Sequence, residues 1–211
     1  MKKVFTNLRF VLPVFIAFVV VANISCKKKQ LIALQPFGQV SPEVIEAVKT
    51  EIENFYGFEV VVLEEREISA DTYYAKGDRY NSSVIIRRMK KEYPDKYDKI
   101  LAITEYDIYH TKGKSKYKGI VGLGLIGGRT AIVSTCRLTL HDVPSERKKL
   151  ERVSKSAIHE LGHTYGLKHC TESTFCIMKS SNGYVRNIDK KEKRFCESCL
   201  NKIDTRRLKI H

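Results

Sequence analysis

The chain has 211 residues, 43% of them hydrophobic and 29% charged, which supports a core for one ordinary domain and excludes a disordered tail or a fibrous protein. Its 38 Lys+Arg exceed its 24 Asp+Glu, a formal charge of +14. The excess is spread along the chain, so a solvated basic surface ranks ahead of nucleic acid, an anionic membrane or an acidic substrate as its explanation.

Residues 1–25 read as an export signal. Lys2, Lys3 and Arg9 precede thirteen uncharged residues, 10–22, a run in the signal-peptide range and short of the roughly 20 residues of a spanning helix. Ser25 before Cys26 matches the end of a bacterial lipoprotein signal, with Cys26 as the lipid-bearing residue; Asn23 departs from that pattern and leaves simple secretion or an uncleaved anchor open. The expected location is therefore outside the cytoplasm, on a membrane anchor. Residues 26–40 read as a polar tether, and 41–211 as the folded domain.

Ser41-Pro42-Glu43 opens a helix with a cap, a proline at its first position and an early acid. Val44, Ile45, Val48, Ile52 and Phe55 give it an apolar stripe, Gly57 ends it, and a strand over 58–63 follows. Further expectations are a helix over 81–89 and strands over 100–109, 120–125 and 130–136. Gly122, Gly124, Gly127 and Gly128 lack phosphate-loop spacing and read as turn residues. Cys136 reads as a small buried apolar residue on a strand.

Ser145-Glu146 caps a long helix with Leu150, Val153, Ala157, Leu161 and Tyr165 at helical spacing. It carries the segment HELGHTYGLKH. His159 and His163, four apart, share a helix face and can present two imidazoles to one metal. Gly166 can turn the chain back and bring His169 round as a third ligand. Three neutral imidazoles leave a tetrahedral zinc one position for water, and Glu160 beside them is placed to act as its general base. A closed structural site has no need of that carboxylate.

Cys170, Cys176, Cys196 and Cys199 form two pairs that suit a tetrahedral four-cysteine zinc, with two disulfides as the alternative in an exported chain. Asp189 and Glu192 have capping-box spacing for a last helix that would carry Cys196 and Cys199 on one face.

HELGHTYGLKHC, then CIM at residues 176–178, then seventeen residues and CESC at 196–199, resemble the archaemetzincin family of metzincin-like zinc peptidases. Weaker echoes at 79–82, 103–107, 131–134 and 137–138 extend the likeness over most of 41–211. Two features depart from the family pattern: five residues separate Cys170 from Cys176 where four are expected, and an export signal precedes the domain. The resemblance implies a catalytic zinc on His159, His163 and His169, Glu160 as base, a structural zinc on Cys170, Cys176, Cys196 and Cys199, and Met178 in the turn beneath the catalytic metal.

The expected molecule is an α/β metzincin-like zincin domain: a twisted, mostly parallel sheet behind an active-site helix, with a small zinc-binding C-terminal subdomain. Its substrate would be a peptide or protein lying in a cleft along an edge strand near 130–136, with two zinc ions as cofactors and no nucleic-acid partner. Tyr184 is expected in a surface loop. The competing reading is a non-catalytic zinc-stabilised module that grips an anionic membrane or nucleic acid through a basic C-terminal helix bearing Lys190, Lys191, Lys193, Arg194, Arg206, Arg207 and Lys209.

Overall fold

The computed structural model describes residues 30–111, 118–139 and 142–203. The expected export signal, Cys26, and Arg206, Arg207 and Lys209 lie outside the described residues. No helix among those described is long and apolar enough to cross a membrane.

Strand β1 (Leu31–Phe37) leads into helix α1 (Pro42–Tyr56) and strand β2 (Glu59–Val62). Ser41 accepts the Val44 amide as cap, and Gly57 closes α1 at φ 67°, a conformation that costs glycine nothing. Next come β3 (Tyr73–Tyr74), β4 (Arg79–Asn81) and α2 (Ser82–Glu92), capped by Asn81. Strands β5 (Lys99–Thr104), β6 (Ile108–Tyr109), β7 (Gly119–Ile120), β8 (Gly122–Gly124) and β9 (Thr130–Ser134) precede the long helix α3 (Glu146–Thr164). Two short helices, α4 (Val185–Asp189) and α5 (Glu197–Leu200), come last among the described residues.

The main sheet runs β2-β1-β5-β9-β8 and is parallel except for the antiparallel β8–β9 pair. Alternate strand residues serve two cores. Ile32, Leu34, Leu101, Ile103, Ala131 and Val133 pack with α1 and α3, whereas Ala33, Ile100, Ala102 and Ile132 pack with α2. The mostly parallel α/β sheet behind a long helix agrees with the sequence expectation. A second small sheet, β3-β4-β6-β7, pairs β4 with β6 in parallel and the outer strands antiparallel.

Five expectations need correction. The strand expected over 120–125 divides between β7 of the small sheet and β8 of the main sheet. Residues 26–40 are not simply a tether, because Leu31–Phe37 pairs with β2 on one side and β5 on the other; its short apolar run is buried on both faces and shows no alternation. The strand expected over 100–109 divides into β5 and β6, which belong to different sheets. Residues 130–136 are not an edge: β9 lies buried between β5 and β8, and β8 forms the edge. Finally, Asp189 ends α4 instead of capping a last helix, because its carboxylate is held by Arg152 at 2.7 and 2.8 Å.

Candidate metal centre and its cleft

Helix α3 ends in a left-handed turn that builds the first site. The Leu167 amide returns to the Gly162 carbonyl at 3.2 Å and the Gly166 amide to His163 at 2.9 Å, with Gly166 at φ 94°. This double closure reverses the chain as a Schellman motif does, and it carries His169 back over the helix. The ligand nitrogens of His159, His163 and His169 lie within 4.8 Å of one another. Nδ1 of His159 faces the Ile177 carbonyl at 2.7 Å, and Nδ1 of His163 faces the Leu167 carbonyl at the same distance. These carbonyls accept the Nδ1 protons and leave both Nε2 lone pairs for a metal. Burial holds His159 and His163 well toward their neutral forms, below the ordinary histidine value, which is the state that coordinates. Such a donor set fits zinc with an open position.

Glu160 points into the same cleft. Burial pushes its carboxyl up to about 8, opposed by the Lys191 ammonium and by the Gly124 amide, which donates to the carboxylate. Edge strand β8 passes so close that a Cβ on Gly122 would stand 2.7 Å from Glu160 Cγ, and one on Gly124 would stand 2.3 Å from the Glu160 carbonyl oxygen. These two glycines are therefore required by close approach to the metal-binding helix and not by turns. Beneath the histidines, fully buried Met178 reaches Gly162, where a Cβ would meet its Sδ at 2.4 Å.

The cysteines form the second site. All four Sγ atoms lie within 4.8 Å of one another, with 3.5 Å between Cys170 and Cys196 and 3.7 Å between Cys176 and Cys199. A Zn–S bond of about 2.3 Å gives a tetrahedral S···S edge of about 3.8 Å, whereas a disulfide needs about 2.05 Å. The spacing fits a zinc tetrathiolate. Cys170 directly follows His169, and its amide donates to the Met178 carbonyl at 2.9 Å. The sulfur cluster thus buttresses both the third histidine and the methionine turn. The five residues between Cys170 and Cys176 form a surface loop where Phe175 stays 51% exposed.

The structure brings together every metal ligand singled out from sequence. Cys136 instead opens a single helical turn after β9 and is partly exposed. Tyr184 is exposed, with the Arg186 guanidinium 5.0 Å over its ring. Among the described residues, 190–194 form no basic helix: Lys193 pairs with Glu51 at 2.6 Å, Arg194 pairs with Glu192, and Lys191 is buried. Sequence reasoning missed Lys191 because it sits in a run of cations. It also missed Arg152, which is 1% exposed and grips Asp142, Asp189 and the Leu138 carbonyl, tying α3 to α4. The alternation Gly-x-Gly in a short apolar segment was the available signal for β8.

Residues 33–205 match the model of peptidase family M54. An archaemetzincin of Archaeoglobus fulgidus is 36% identical over 82% of this chain and 98% of its own length, and one of Pyrococcus furiosus is 31% identical over 84% and 94%. The crystal structure of the Archaeoglobus fulgidus archaemetzincin complexed with malonate superposes with a TM-score of 0.70 at 34% identity, covering 82% of this chain and all of that one. The Methanopyrus kandleri archaemetzincin structure gives 0.71 at 26% identity, over 84% and 95%.

Proposed function

Because the chain belongs to peptidase family M54, the archaemetzincins, and is a zinc metallopeptidase, we propose that it hydrolyses peptide bonds with Glu160 as general base. The observation that carries this reading is the convergence of three imidazoles, two of which line one cleft together with the buried Glu160 carboxylate. His159, His163 and His169 would hold the catalytic zinc, and Cys170, Cys176, Cys196 and Cys199 a second, structural one. Bound zinc supplies Lewis acidity toward the scissile carbonyl and toward water.

The chain's own residues do the rest. Glu160, oriented by the Gly124 amide, takes the proton of the attacking water and delivers it to the leaving amine. A carboxylate placed beside the metal-binding histidines can make both transfers. The cleft is walled by 119–122 on one side and by 180–183 on the other. An extended peptide would pair with the open edge of β8, the strand that replaces 130–136 in this role. Met178, packed under Gly162, fixes the height of the helix turn bearing His159 and His163.

Glu160→Gln keeps the shape and removes the base. Zinc content should be unchanged and peptide hydrolysis should fall by at least a thousandfold; hydrolysis at the wild-type rate refutes the assignment. The N-terminal segment is proposed to export the chain and, through Cys26, to anchor it by lipid. Cys26→Ser should abolish fatty-acid labelling, and persistence of the label refutes the anchor.

A further inference from the structure

Lys191 is the titratable group in the cleft that the hydrolytic scheme leaves unused. It is 5% exposed and lines the same cavity as His159, Glu160 and His169. A buried ammonium is tolerated when its three donors are satisfied. Among the described residues its Nζ has one polar neighbour within hydrogen-bond distance, His159 Nδ1 at 3.4 Å. That nitrogen already donates to the Ile177 carbonyl at 2.7 Å, so two donors face each other and the ammonium gains nothing there. The neighbouring cation, Lys155, is neutralised by Glu151 at 2.6 Å and turns to the Asp189 carbonyl. Glu160 is the anion whose field Lys191 feels most. With a dication on the three histidines, one carboxylate cannot balance the charge, and the cavity stays net positive. Its rim is polar, formed by Ser180, Ser181 and Asn182.

Resting on the peptidase reading, we infer that Lys191 is a specificity residue that receives a substrate carboxylate in this cavity, from an acidic side chain next to the scissile bond or from the substrate's own C-terminus. Both sources present the same two oxygens to the ammonium, and a charge-assisted hydrogen bond to a buried ammonium discriminates strongly against the uncharged isostere. The preference should appear in KM, because the carboxylate is bound in the ground state as well as in the transition state.

The test uses zinc-loaded protein and matched quenched peptides. Glu is compared with Gln on each side of the scissile bond, and a free C-terminal carboxylate with its amide. Wild type should favour one carboxylate form by at least tenfold in kcat/KM, mainly through KM, and the favoured pair identifies the source. In Lys191→Met the ratio should collapse toward unity, and in Lys191→Arg it should partly survive; circular dichroism and zinc content verify the fold of each. Equal cleavage of every pair by wild type, or a ratio unchanged in Lys191→Met, overturns the inference. Calorimetric binding of reduced-amide forms of the same peptides separates the two readings. A carboxylate preference in binding without any cleavage of the parent peptides sinks the peptidase reading and leaves the carboxylate site standing.

Discussion

Gly124→Ala probes how the edge strand and the metal-binding helix share space. The new Cβ would lie 2.3 Å from the Glu160 carbonyl oxygen and 2.9 Å from His163 Cβ. Ordinary carbon–oxygen contact begins near 3.3 Å, so β8 must retreat by about 1 Å. The obstacle is backbone and cannot swing aside, which places the overpacking cost at the upper end of the usual range, about 3 kcal/mol. A protein of this size loses about 2–4 °C of Tm per kcal/mol, so a drop of roughly 6–12 °C is expected. The same retreat stretches the hydrogen bond from the Gly124 amide to the Glu160 carboxylate, and a base displaced by about 1 Å costs up to roughly a hundredfold in rate. Gly127→Ala is the control: nothing lies within 4 Å of its Cβ, and its φ of 68° alone sets the cost, about 1–2 kcal/mol. Thermal denaturation with kcat/KM on zinc-matched samples reads both quantities. Gly124→Ala matching wild type within 1–2 °C and twofold in kcat/KM would refute the close-approach reasoning.

Arg152→Met should cost about 3 kcal/mol, the low end for a broken buried ion pair, because Asp142 and Asp189 remain 40% and 27% exposed and can hydrate. The Arg152 guanidinium holds the Asp189 carboxyl below its ordinary value of 3.8. Its contribution is therefore complete above that value and is lost as pH falls through the lower folded one, so the gap between wild type and Arg152→Met, read by chemical denaturation, should narrow below about pH 4. A gap independent of pH contradicts the pairing. Cys170→Ser should weaken metal retention at the histidine site as well as the cysteine site, since Cys170 anchors His169 and the Met178 carbonyl; chelator-release kinetics with only one phase altered would argue against that coupling. Gly166→Ala, forced to φ 94°, should lose about 1–2 kcal/mol and loosen zinc through His169; unchanged zinc affinity would show that the turn does not position the ligand.

The metal centre was legible because its geometry is local. Two ligands one helical turn apart, a glycine and a third histidine three residues later fix their relations within eleven residues. The four cysteines were legible as donors, but their zinc-compatible spacing emerged only from the folded positions of Cys170 beside Cys196 and Cys176 beside Cys199. What was not legible depends on contacts across long separations. Leu31–Phe37 reads as a tether until β2 and β5 flank it. Asp189 reads as a cap until Arg152, 37 residues earlier, claims its carboxylate. Lys191 reads as one of several surface cations until the chain carries it beneath His159. Charge patterning along a sequence reports the average fate of lysines, and this one departs from it.

The most direct test is zinc stoichiometry measured together with peptide hydrolysis in wild type and in the His159→Ala, His163→Ala double variant. Wild type should bind two zinc ions per chain, and the double variant should keep one, on the cysteines, with hydrolysis lost. Two ions and intact hydrolysis in the double variant would contradict the assignment of the catalytic site to this helix.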